Sequence, residues 1–484
     1  MEKASECLRR IMLGILIIIL ALSVTLIVKQ GLENHSYFLA LMAGAVAAAA
    51  ILLLRKAKIY NKIHQNLNKF GKVKCAAAVT ALCFAFGLIW NITIQLEPFS
   101  DYQTYWDCAV AIATGGEIYS TEYVAMYPHI LGYSSFLSLF IRLFGQHVMV
   151  GVIVNLVLSC LTGLLIFLII AEPFGVTAAS FGGALWAVYP GRIMLGSLIF
   201  SEPLYTCLVL LMMYLLMLLQ KHQNKLKESI IYPILWGLGL GLLLEAINAV
   251  RPISAILIIA LLLWLVLLRG RELKSGKLWR MWLLVLMPML LCFQFSGKLW
   301  DRHLEAVLGE EVAGLPIYNM YVGFNMDTMG QWSADDMDLL FEYRREPGGS
   351  APAAQQSMLP HVLERLQADD LNLPKLFSSK LFVFLGNDEL GGYTYRFTRS
   401  ESFVKICMVL CNCAYYLLLL LALAGIIKLW QSRKNTAVLM LPLYTLGLTL
   451  AHMLIEVSSR YHYSLIPIFI IFAAMNLGDK GEQL

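Results

Sequence analysis

Residues 129–145 read "HILGYSSFLSLFIRLFG", and the topology of the whole chain turns on whether this stretch crosses a membrane. It is short for a span of about 20 residues and carries Arg142 among several serines. If it crossed, every later basic loop would change sides. Laid along the interface as an amphipathic helix, it leaves those loops on one side.

The surrounding composition makes the membrane the solvent. The 484 residues are 59% hydrophobic and only 14% charged, more apolar surface than a soluble core can absorb. The first apolar run carries no small-residue cleavage site and is expected to remain as an anchor. Apolar runs at 11–28, 37–54, 75–95, 147–171, 176–200, 203–220, 231–249, 252–268, 281–299, 403–427, 437–455 and 461–477 predict about twelve spanning helices in an all-α polytopic protein. The segment 55–74 holds Arg55, Lys56, Lys58, Lys62, Lys69, Lys72 and Lys74 with no acid. Stretches 221–229, 269–280 and 428–434 are also basic. The positive-inside rule places all four in the cytoplasm, together with both termini.

The opposite face collects a different inventory. Loop 96–128 carries Glu97, Asp101, Asp107, Glu117 and Glu122 and no Lys or Arg. Glu202 opens a helix in "FSEPLY", Arg251 stands in "NAVRPIS", and Glu456 and Arg460 stand in "EVSSRYHY". Any one of these reads equally well as an interfacial anchor, but charges at four turns on one rim point to a site. Segment 300–402 adds about a hundred mostly polar residues on this face, with helices expected near 355–370 and 374–386. A loop of that length is uncommon without a function. The second of these helices is amphipathic enough to rest on the bilayer.

Soluble-enzyme signatures are absent: there is no phosphate-cradling glycine loop and no H-E-x-x-H zinc spacing. Asp336-Met337-Asp338 has a D-x-D form, but reads better as a solvated helix start. Cys407, Cys411 and Cys413 read as small packing residues rather than metal ligands. A divalent metal is compatible with the pattern, but nothing in it supports one, and no cofactor is implied. Asp101 and Tyr105 are one helical turn apart and so share a face. Asp101 is either a helix N-terminal charge or a general base acting on a hydroxyl.

The run "PFSDYQTYWDCAVAIATGGEIYSTEYVAMYPHILGYSSFLSLFIRLFG" resembles the first external loop of GT-C glycosyltransferases, in the branch of protein O-mannosyltransferases and the lipid A aminoarabinose transferase. Asp101, Tyr105, Ala109, Tyr127, Pro128 and Leu143-Phe144-Gly145 carry the likeness, which continues loosely through "FSEPLY" and "VRPIS" to "RYHYSLIP". The resemblance implies a membrane enzyme that moves a sugar from a polyprenyl-phosphate carrier to a lipid, glycan or protein hydroxyl at the outer face, with inversion. It implies Asp101 as the base and Arg251 at the donor phosphate. Arg460 is a second candidate for phosphate or sugar, and Glu202 for sugar hydroxyls or for pairing with an arginine. Departures are visible: Tyr102, Met126 and His129 stand where many members have a glutamate, a carboxylate and a proline. A second acidic partner is therefore not implied. His129 is either a donor to substrate or a plain interfacial histidine, and Asp107 falls on another face. The expected organisation is a transmembrane module 1–299 containing a catalytic loop 96–146, an external unit 300–402 and C-terminal helices 403–484. No nucleic-acid partner is expected. The rival readings are a lipid-linked sugar flippase, which would show internal repeats and midplane charges, and a non-catalytic envelope scaffold.

A single cysteine placed at Lys62 is expected to react with an impermeant maleimide only from the cytoplasmic side, and one at position 331 only from the outside. Labelling of intact and permeabilised cells checks both.

Overall fold

The computed structural model describes residues 2–269, 276–314, 316–431 and 437–478, with the side chains of residues 2 and 3 left aside, and every regular element in it is helical. Nine of the described helices are long and apolar enough to cross a membrane: Ala4–Glu33, His35–Leu54, Lys72–Thr93, Val148–Val188, Glu202–Leu226, Ile231–Val250, Gly276–Leu308, Glu401–Gln431 and Ala437–Leu454. The predicted crossings at 147–171 and 176–200 fold as two helical arms joined at Gly175, whose φ of 83° is a conformation that favours glycine, and the arms fold back on each other, with Trp186 Nε1 donating to the Ser159 carbonyl at 2.8 Å. Pro173, just before it, withholds a backbone donor at the same place. The apolar runs 252–268 and 461–477 fold as shorter pieces, Ser254–Leu263 continued by Trp264–Leu268, and Ser459–Leu465 continued by Ile466–Ala474. Length and composition alone thus single out nine of the described helices, with the two arms at Gly175 counted as one.

The helix ends sort into two groups. At one end Arg55 donates to the carbonyls of Asn476 and Gly478, both at 2.9 Å, and Lys428 to that of Asn476 at 3.0 Å. There too Arg9 caps Leu429, Glu172 meets Lys72 and Lys221, and Lys277 meets Glu228. Orphan C-terminal carbonyls of helices are natural partners for these cations. Parts of the basic stretches 269–280 and 428–434, and both chain termini, lie outside the described residues. The helix Lys58–Phe70 lies at this end with no side chain buried.

At the other end the first loop folds into Asp101–Thr114, Thr121–Met126 and His129–Phe144. The last of these begins and ends at this face: Arg142 donates to the Ile112 carbonyl at 2.7 Å, and the chain then enters Val148–Val188. It crosses closely over the end of Ile231–Val250. A Cβ at Gly132 would stand 2.0 Å from the Ala249 oxygen, so only glycine permits the approach. That contact lies two residues before Arg251.

The long segment after Leu308 makes short helices, among them Ala351–Ser357, Leu359–Gln367 and Leu373–Leu385. It is stitched to the bundle. The backbone N–H groups of Glu456 and Val457 donate to Asn319 (2.7 Å) and Gly330 (2.9 Å), and Ala313 N–H to Ala125 (2.9 Å). The helix expected to rest on the bilayer, Leu373–Leu385, instead turns Leu376, Lys380 and Phe384 into the protein. Lys380, fully buried, donates to the carbonyls of Gly323 (2.8 Å), Met453 (2.9 Å) and Ile455 (2.7 Å). Its three ammonium hydrogens match three carbonyl acceptors at the ends of two helices.

Lys380→Met is expected to lower the thermal unfolding midpoint in detergent and to reduce turnover. It would strand three carbonyls, at about 1–3 kcal/mol for each one left dry.

Candidate active site at the rim

The residues singled out in the sequence meet at one place. Asp101 begins its helix at the end of the bundle, and the backbone before it is unusual: Ser100 has φ 50° and ψ −135°, with no side-chain cap. Such a conformation in a non-glycine residue costs about 1–3 kcal/mol and persists only where surrounding structure imposes it. Here it aims the first turn of Asp101–Thr114 at the turn that precedes the last helix. Asp101 Oδ2 accepts from Arg460 Nη2 at 2.7 Å. Arg251, at the C-terminal cap of Ile231–Val250, donates to Glu202 at the start of Glu202–Leu226.

The two ion pairs flank one ring. Arg251 lies 5.2 Å and Arg460 5.5 Å from the centre of Tyr461, whose hydroxyl donates to Glu456 at 3.0 Å. Nε of both arginines is buried without a partner. Two guanidinium groups with donors to spare, side by side, form a cradle suited to phosphate oxygens.

Exposure separates the two carboxylates. The Asp101 side chain is 41% exposed, whereas that of Glu202 is 5% exposed. An incoming hydroxyl can reach Asp101 but not Glu202 without rearrangement. The Arg251–Glu202 pair is a buried one, and removal of either partner would cost about 3–5 kcal/mol by stranding the other. Glu202 thus acts on Arg251 rather than as an open carboxylate.

Tyr105 is buried on the same helical face as Asp101, with its hydroxyl 3.3 Å from that of Ser201. Burial, then the charge of Glu202, pushes its phenol up. Its backbone carbonyl accepts from Ser134, which fixes the first-loop helix to His129–Phe144. His129 opens that helix. Burial first, then the arginines, lowers its imidazole to about 4, so it is neutral near pH 7. Asp107 points away, accepting from Gln103 at 2.7 Å on an exposed face.

Other features differ from expectation. Asp336 is not solvated: it is buried, and Arg365 grips both its oxygens at 2.6 and 3.0 Å. Cys407 and Cys411 are buried and Cys413 partly so, as packing residues. Among the described residues no group of three His, Cys, Asp or Glu is arranged to hold a metal ion.

Tyr461, Glu456 and Ser201 were not singled out as site residues by the sequence. Tyr461 adjoins Arg460 and Ser201 adjoins Glu202, but neither ring nor hydroxyl advertises itself until the turns are superposed. Glu456 was visible as a charge, yet its role depends on a backbone bond to Asn319, far away in the chain.

Residues 128–293 match the family model described as dolichyl-phosphate-mannose-protein mannosyltransferase, a family of the GT-C superfamily. The matched residues, about a third of the chain, are similar to GT-C membrane glycosyltransferases. The match begins at Pro128, in the loop before His129–Phe144, and includes Glu202 and Arg251. Asp101 and Arg460 lie outside it. No curated protein matches the chain. The apolar helices make the protein a multi-pass membrane protein, and the matched third of the chain supports a glycosyltransferase.

Acidification tests His129. Its imidazole is lowered in the folded state, so between about pH 6.5 and 4 the unfolded chain binds more protons and folded stability falls as pH drops. Thermal unfolding of His129→Gln is expected to lose that part of the acid sensitivity while activity near pH 7 is largely kept.

Proposed function

We propose that the protein transfers a sugar from a polyprenyl-phosphate carrier to an acceptor hydroxyl at the extracytoplasmic face, with Asp101 as general base. The observation that carries the reading is the side-by-side arrangement of Asp101–Arg460 and Arg251–Glu202 at one rim of the bundle, from four turns far apart in sequence.

The donor is a phosphodiester with a single negative charge. Its phosphate takes the spare donors of Arg251 and Arg460, and its lipid tail lies in the bilayer beside the rim. As Arg460 turns toward phosphate, its hold on Asp101 loosens and a carboxylate oxygen is freed to accept from the incoming hydroxyl. The acceptor hydroxyl then gives its proton to Asp101 while its oxygen bonds to the anomeric carbon. The bond from that carbon to the phosphate oxygen breaks, and polyprenyl phosphate leaves with one more negative charge. Two fixed guanidinium groups favour that added charge. A single displacement inverts the anomeric centre.

On this reading residues 1–299 hold the catalytic loop 96–146, 300–402 cover the site and 403–484 supply Arg460. The basic end and both termini face the cytoplasm. The arrangement favours transfer over flipping, because the charges gather at a rim rather than at the midplane where transporters place them.

Asp101→Asn keeps shape and loses the base. Transfer by the purified protein from radiolabelled polyprenyl-phosphate sugar is expected to fall at least about 10²-fold with donor binding retained. Arg251→Lys is expected to weaken donor use while keeping the pair with Glu202, since an ammonium lacks the guanidinium fork. Near-normal transfer by Asp101→Asn would return Asp101 to the role of a helix-end charge.

A further inference from the structure

Beside the ion pairs, a second feature has no part in the chemistry above. An open groove of about 880 Å³ lies between the first external loop and the helix Ala334–Arg345 of the long segment. Residues 117–123 make one wall, and Met337, Asp338, Phe341 and Arg345 the other. Three carboxylates, Glu117, Glu122 and Asp338, face it with one arginine. Ser120 in its wall has φ 57°, again a conformation that non-glycine residues avoid.

The groove is built from two kinds of surface. Ionised carboxylates only accept hydrogen bonds, so a ligand must bring donors, as hydroxyl or amine groups do. Aromatic rings supply the rest. Tyr119 is 85% exposed, and Tyr123 stacks on Phe341 with centres 6.4 Å apart and planes 9° apart. Flat rings among hydrogen-bond acceptors suit a molecule with apolar C–H faces and hydroxyl edges. The groove is open and offers no deep apolar pocket of the kind that selects a peptide side chain.

It also leads to the reaction. Tyr123 is 5.0 Å from Tyr127, and Tyr127 is 6.4 Å from His129, so aromatic rings run from the groove to the ion pairs. After burial itself, the charge of Asp101 is what most raises the Tyr123 phenol, which places that ring near the carboxylate.

We infer that this groove binds the acceptor, and that the acceptor is a carbohydrate chain of neutral or amine-bearing sugars, with its terminal hydroxyl presented past Tyr123 to Asp101. The inference rests on the transfer reaction proposed above and names its acceptor class. An acidic glycan is disfavoured by the excess of carboxylates.

Titration calorimetry on the full-length protein in nanodiscs tests this with four probes: a glucosamine oligomer, an N-acetylglucosamine oligomer, an oligogalacturonate and a peptide rich in Ser and Thr. The first two are expected to saturate, the third to bind much more weakly and the peptide not at all. Tyr119→Ala and Asp338→Asn are each expected to weaken oligosaccharide binding at least about tenfold. The Tyr119 side chain is so exposed that its removal leaves folding intact. Equal binding of the galacturonate overturns the inference. So does saturation by the peptide alone, by none of the probes, or undiminished by the two substitutions. Asp101→Asn separates this from the catalytic reading: it is expected to abolish transfer and keep oligosaccharide binding. Normal transfer by that variant with groove binding intact sinks the base and leaves the groove standing.

Discussion

Lipid offers no partners for polar backbone, so every unpaired carbonyl and every charge must be satisfied within the protein or carried to an end of the bundle. The two ends answer that constraint differently. At the basic end, Arg9, Arg55 and Lys428 close off helix carbonyls and take no part in an open site. At the other end the charges pair with each other. Lys380 does at the rim what several cations do opposite, and it fixes the turn that carries Glu456 and Arg460. With the carbonyls there already satisfied, the two site arginines keep donors to spare.

Those arginines are held, not idle. Each has a carboxylate partner that orients it, and the Tyr461 ring lies beside both. The difference in burial between the pairs gives them different stiffness. Arg251–Glu202 is enclosed and serves as a fixed post. Arg460–Asp101 is more open, worth about 0.2–1 kcal/mol as a surface pair, and can exchange partners cheaply. On the proposed mechanism Asp101 is released when the donor binds, which suits the weaker of the two pairs.

Much of this could be read from the chain because charges in an apolar sequence stand out. Asp101, Glu202, Arg251 and Arg460 are conspicuous at the edges of hydrophobic runs, and the basic loops fixed which edges belong together. The family match now agrees with the resemblance read from the first loop. The break at Gly175 was legible, since a proline and a glycine between two apolar runs mark the turn between crossings. The inward set of Leu373–Leu385 was hidden: an amphipathic pattern tells which face is apolar, not whether lipid or protein covers it. Lys380 in that apolar face was the clue, a lysine needing three acceptors where a bilayer has none. Asp336 misled similarly, because Arg365 lies 29 residues away and no local rule pairs them.

The long segment has two neighbours at once. Asn319 and Gly330 hold the backbone of Glu456 and Val457, next to the arginine turn, and a few residues later the same segment supplies Asp338, Phe341 and Arg345 to the groove wall. Lipid carrier and acceptor would therefore meet a shared piece of scaffold. Free energy spent by one ligand in ordering that scaffold need not be supplied by the other. By reciprocity, an acceptor that steadies the segment would tighten the grip on the carrier to the same degree. Such linkage would bias the enzyme toward having both substrates in place before Asp101 is freed, and so toward sparing the activated sugar from water.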